Sequence, residues 1–133
     1  MRRQRLLAER SFRDGKTSLR HGRMGQALEQ LRRARDLHPE AIEYALYAAW
    51  VEFCHAVDPD EAAERQGDLE VLVHEALRED QDLAFAHYVQ GQIALSDGNL
   101  ELATRSFARA VKLDPSHEDA ERHYVIARRR LEG

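Results

Sequence analysis

Two stretches of this chain share one spacing of small, large and helix-breaking residues, and that spacing constrains the fold more than any other feature. GKTSLRHGRMGQALEQLRRARDLHP, residues 15–39, and GQIALSDGNLELATRSFARAVKLDP, residues 91–115, align without a gap. They match at Gly15/Gly91, Leu19/Leu95, Gly22/Gly98, Ala27/Ala103, Arg33/Arg109, Ala34/Ala110, Leu37/Leu113 and Pro39/Pro115, with Met24/Leu100 and Leu31/Phe107 as near-conservative pairs. Apolar residues three, four and seven apart mark one face of a helix, so each copy reads as two helices. Gly22 and Gly98 fit left-handed C-caps between antiparallel helices. Pro39 and Pro115 follow the second helix, where proline cannot continue it. Gly15 and Gly91 fall in mid-helix, where each costs about 1 kcal/mol relative to alanine. Close approach of the neighbouring helix would offset that cost.

Gly91, Ala103, Phe107, Ala110 and Pro115 fall where the tetratricopeptide repeat places its small, aromatic and proline positions within a 34-residue period, and the chain resembles that family. On this register one repeat is 84–117 and another is 8–41, anchored by Gly15, Ala27, Leu31, Ala34 and Pro39. His87 and Ser11 stand where the family has a tryptophan. The offset between the two copies exceeds two periods by about eight residues, so 42–83 reads as a repeat with an insertion. IEYALYAAWVEF is its first helix and LEVLVHEALRED its second, with Gln81 in place of the closing proline. Asp58-Pro59-Asp60-Glu61 has the makings of a helix start: a capping acid, proline in the first turn, then acids. The insertion is therefore read as an N-terminal extension of that second helix, roughly 59–80, with an acidic loop ending near Gly67 as the alternative. EDAERHYVIARRRLE puts Ala120, Tyr124, Ala127 and Leu131 on one stripe and charges elsewhere, as a terminal capping helix over about 118–132 should. The fold expected is all-α, a right-handed solenoid of about seven helices in one domain over 1–133, because each helix pair can bury its apolar face only against the next.

Catalytic chemistry is hard to place on this chain. It has no glycine-rich phosphate loop, no H-E-x-x-H, no nucleophile elbow and no C-x-x-C. The histidines are scattered, none paired four apart, and are read as surface groups. Cys54 is the only cysteine, which excludes an internal disulfide and suits a reducing compartment. Its neighbour His55 points about 100° away on a helix, so the two make a poor nucleophile–base pair. No enzyme, cofactor or metal is expected. No apolar run approaches the ~18 residues of a membrane span, and the N-terminus has no secretory h-region. A cytoplasmic location is the expectation.

Charge is unevenly spread. Residues 1–39 hold 11 Lys/Arg and 4 Asp/Glu, residues 40–82 hold 2 and 13, and residues 83–133 hold 7 and 7. The basic end could meet phosphates, but the acidic total and the lack of interleaved aromatics other than Phe12 argue against nucleic acid.

What the resemblance implies about function is a partner protein. First-helix positions line a concave groove in that family. Carried over, these are Phe12, Lys16, Leu19 and Arg20 in the first repeat, Leu46, Trp50 and Phe53 in the second, and Tyr88, Gln92 and Leu95 in the third. The middle register is open by one residue, which would bring Ala49 and Glu52 into the groove and turn Trp50 inward. Aromatics in the centre and Lys16 and Arg20 at one end suit a peptide segment with apolar and acidic side chains. The family's chaperone-binding class grips a terminal carboxylate with first-helix asparagines, whereas the only asparagine here is Asn99, in a turn. The chain is therefore expected to be a peptide-binding scaffold. The second reading is self-association, basic repeat against acidic middle, or an adaptor region of a larger multidomain bacterial protein.

Overall fold

The computed structural model describes residues 2–133, and all regular structure among them is helical. In chain order the helices are α1 (Arg2–Arg20), α2 (Met24–Leu37), α3 (Ile42–His55), α4 (Pro59–Glu79), α5 (Ala84–Ser96), α6 (Leu100–Leu113) and α7 (Glu118–Glu132). The insertion is helical: α4 starts at Pro59, and the Asp58 carboxylate accepts from the Asp60 N–H at 3.3 Å. The acidic-loop alternative is thereby excluded.

The two turn glycines do what their spacing demands. Gly22 and Gly98 have φ of 73° and 81°. Around each, the next N–H reaches five residues back, Arg23 to Ser18 at 2.9 Å and Asn99 to Ala94 at 2.8 Å. This closes the helix in a Schellman motif. The two copies then diverge. The Asn99 side chain accepts from the Leu102 N–H at 3.2 Å and caps α6, whereas Arg23 gives α2 no side-chain cap. Asn99→Ala should therefore cost about 1 kcal/mol, read as a drop of a few degrees in a thermal melt.

Residues up to Leu72 form one compact unit and Val73–Gly133 a second, the boundary falling inside α4. In the first unit the core is Phe12, Ala27, Leu31, Ala34, Ala48 and Val51, with Leu19, Met24, Leu28, Tyr44, Tyr47 and Trp50 packed around it. Phe12 joins α1 to α3, its ring centroid 4.4 Å from Tyr44 and 5.0 Å from Tyr47. In the second unit Phe107 is fully buried, and Ala103, Ala110, Ala120 and Ala127 are buried as well. The mid-helix glycines admit these large side chains. A Cβ on Gly15 would lie 2.8 Å from Leu31, and one on Gly91 would lie 2.6 Å from the Phe107 ring. Helix α7 buries Ala120 and Ala127, while Leu131 is exposed near its end.

Candidate partner-binding faces

The expected groove residues divide by accessibility. On α1, Phe12 is buried, Lys16 and Leu19 are half-buried, and Arg20 is exposed. The Lys16 ammonium sits 4.6 Å from the centroid of the Phe12 ring, a cation–π arrangement. On α3, Leu46 has no exposed surface, whereas Trp50 and Phe53 are half-buried with ring centroids 5.9 Å apart. Ala49 and Glu52, which a one-residue shift would bring into the groove, are both buried. On α5, Tyr88 is buried while Gln92 and Leu95 keep partial exposure, and Gln92 Nε2 donates to the Tyr88 hydroxyl at 3.0 Å. The first unit carries a cation over an aromatic ring on α1 and a half-buried tryptophan–phenylalanine pair on α3, and the second carries a half-buried amide bonded to a buried tyrosine, with a half-buried leucine, on α5.

Cys54 is exposed on the last turn of α3, yet the protein around its sulfur desolvates it and pushes the thiol up to about 11. Such a group stays protonated at neutral pH and is a poor nucleophile. Among the described residues no three His, Cys, Asp or Glu side chains gather in a metal-holding group, and no helix is long and apolar enough to cross a membrane.

Two features escaped the sequence reading. The first is Glu52, whose side chain is 8% exposed on α3. Arg32 donates to it through Nε at 3.1 Å and Nη2 at 2.9 Å, and Arg35 donates at 3.0 Å. Arg65, from the inserted part of α4, approaches at 3.7 Å. Burial alone would raise the Glu52 pKa, but the hydrogen bonds and charges of Arg32 and Arg35 outweigh it and hold the carboxyl below its ordinary value. Two arginines of the basic segment are thus committed inside the chain. The signal was present as the one acid in the apolar stretch ALYAAWVEF, residues 45–53.

The second is the pair His117 and His123, expected on the surface. Both are half-buried. His117 stacks on Tyr88 at 4.5 Å, and His123 lies 5.6 Å from Phe107. His117 Nδ1 also accepts from the Ala120 N–H at 3.0 Å, capping α7 where Asn or Asp would be usual. Its place after Asp114-Pro115-Ser116, just before the new helix, was the clue.

No family model matches the chain, and no curated protein matches its sequence. Solved structures do. The first tetratricopeptide domain of Spaghetti (RPAP3), bound to the HSP90 peptide SRMEEVD, has a TM-score of 0.62 at 16% identity, covering 97% of this chain and 96% of that one. The tetratricopeptide domain of Arabidopsis OM64 has a TM-score of 0.60 at 16% identity, covering 96% and 98%. At such identity the likeness is one of fold, and it extends over nearly the whole of each chain: this is an all-α protein with the fold of tetratricopeptide-repeat domains.

Proposed function

We propose that the chain is a protein-interaction module, without catalytic activity, that holds a segment of a partner protein on the first-helix faces of its repeats. The observation that carries this reading is the face of the first unit. Lys16 stands over the Phe12 ring, and Trp50 and Phe53 present a half-buried aromatic pair on α3. Tryptophan supplies large contact area for little entropy, and the cation favours an acid in the segment. Gln92 and Leu95 offer a smaller face on the second unit. Phe12, Leu46 and Tyr88 serve this reading from beneath, as rigid support. A solved protein of similar fold holds a peptide of another protein. The occupant proposed here differs from that peptide's class, since Asn99 is engaged in capping α6.

Selection from a displayed library of random peptides tests the reading. The expected winners carry apolar side chains with an Asp or Glu. Trp50→Ala should weaken their binding by about 30-fold, the size of an interface hot spot. It should cost the fold only about 1–2 kcal/mol, because the ring is half-buried. Lys16→Glu should weaken binding to acidic winners and leave the melt nearly unchanged. A large loss of melting temperature with intact binding would make Trp50 a packing residue alone, and a library that yields no binder would remove the reading.

A further inference from the structure

The first turns of α1 stand clear of the core of their unit. Every residue from Arg2 to Leu7 is exposed, and Ala8 is the first buried one. Leu6 is 59% exposed and Leu7 37%, adjacent apolar side chains beside the arginines of the same turns. At 100° per residue, Arg3, Leu6, Leu7 and Arg10 share one face. Among the described residues neither arginine pairs with a carboxylate, and the ion pair on α1 is that of Arg13 with Glu9. Asp14, one turn beyond Arg10, bounds the patch.

A complementary face exists on the same chain. On α4, Asp60, Glu64, Asp68 and Val71 lie on one side of the helix, all exposed, Val71 by 58%. Among the described residues none of these three carboxylates pairs with a cation. Gly67 lies on the same face. Gly15 and Gly91 make room for Leu31 and Phe107, but beyond the local helix backbone nothing lies within 4 Å of where a Gly67 Cβ would stand, as is also true of Gly25 in α2. This glycine weakens an exposed helix with no contact inside the chain to offset it. The charges of the two segments are opposite as well, 11 Lys/Arg to 4 Asp/Glu over residues 1–39 and 2 to 13 over residues 40–82.

We propose that the Arg3–Leu6–Leu7–Arg10 face of α1 docks on the Asp60–Glu64–Asp68–Val71 face of α4 in a second copy of this chain. The arginines meet the carboxylates and steer the encounter. Leu6 and Leu7 cover Val71, and Gly67 lets the incoming helix approach the α4 backbone. The α1 patch spans about 10 Å and the α4 patch about 16 Å, so the first fits within the second. Because the two faces differ, a copy that has lost one still offers the other. The surface shares no residue with the peptide-binding face proposed above, so either can fail alone.

Charge reversal separates the possibilities. One variant carries Arg3→Glu and Arg10→Glu, the other Glu64→Lys and Asp68→Lys; all four sites are exposed. Analytical ultracentrifugation is run at about 0.02 M and about 0.5 M salt, conditions that differ several-fold in Debye length. Wild type should associate at low salt and dissociate at high salt. Each variant alone should be monomeric, with a wild-type melt. An equimolar mixture of the two should associate again, because the untouched α4 face of one meets the untouched α1 face of the other, and the two reversed faces also complement each other. Arg3→Gln with Arg10→Gln serves as a milder variant should reversal disturb folding, and should weaken association by about 10-fold or more. Wild type that stays monomeric at about 0.1 mM, where a micromolar contact would be saturated, overturns the proposal. So does a mixture that fails to associate. Capture of the monomeric wild type by phosphatidylserine vesicles, lost in Arg3→Glu/Arg10→Glu, would overturn it in favour of a lipid surface.

Discussion

Gly91→Ala should lower the melting temperature by roughly 8–12 °C, the larger of the two stability effects expected of a single methyl group in this chain. The added Cβ would stand 2.6, 2.7 and 3.0 Å from three atoms of the Phe107 ring. That ring is fully buried and braced by Tyr88 and His123, so it has nowhere to turn. Overpacking a tight core costs about 1–3 kcal/mol, and a rigid aromatic neighbour puts this site near the top of that range. The conversion to temperature uses about 4 °C per kcal/mol for a chain of this length. Gly15→Ala, the same change in the other copy, should be milder. There the Cβ would meet Cδ2 and Cγ of the buried Leu31 at 2.8 Å and its backbone nitrogen at 3.3 Å, and a branched aliphatic chain has more rotamers to move among than a braced ring. A double-mutant cycle isolates the contact. In a Phe107→Leu background the Gly91→Ala penalty should shrink by about 1 kcal/mol or more. Equal melts for the two glycine variants, or additivity in the cycle, would show that the ring contact is not what holds residue 91 to glycine.

Removing Glu52 should be comparably severe. Glu52→Ala deletes the carboxylate between Arg32 and Arg35 and leaves two guanidiniums facing one another at the α2–α3 contact. Breaking a buried ion pair costs about 3–5 kcal/mol. Here the arginine side chains remain 45% and 32% exposed, and water can reclaim part of their charge, which brings the expected loss to about 2–3 kcal/mol. The acid dependence has a definite sign. Glu52 has a lower pKa folded than unfolded, so the folded chain binds the proton less readily. Its contribution is complete above the unfolded carboxylate value of about 4.3 and disappears as pH falls through the lower folded value. Glu52→Gln keeps the shape and loses the charge. The melting gap between it and wild type should be widest near neutrality and close as pH falls through the lowered folded value of Glu52. A gap that does not change with pH would mean that the carboxylate's charge contributes nothing there.

The helices were legible because their signals are local. Gly22, Gly98, Pro39 and Pro115 punctuate, and the three-four-seven spacing of Ala27, Leu31 and Ala34 states which side is inward. The α4 extension was legible for the same reason, from Asp58-Pro59-Asp60-Glu61. Accessibility at the candidate site was not. Leu46 and Trp50 look alike as apolar members of α3, and only packing decides that one is fully buried and the other half open. The Glu52 cluster was illegible because its partners lie 20, 17 and 13 residues away on two other helices. His117 and His123 read as surface groups in the sequence because the aromatic rings they cover belong to α5 and α6.

The Glu52 cluster also limits what can be exchanged. A tetratricopeptide array invites treatment as interchangeable bricks, each contacting its neighbours through apolar residues of standard spacing. In this chain the acid belongs to the second repeat's first helix, two of its partners to the first repeat, and the last to an insertion outside the standard length. A generic repeat grafted in place of residues 42–83 would strand Arg32 and Arg35, and one grafted in place of 8–41 would strand Glu52. A redesign that keeps this ion cluster would have to exchange the segments carrying Arg32, Arg35, Glu52 and Arg65 together.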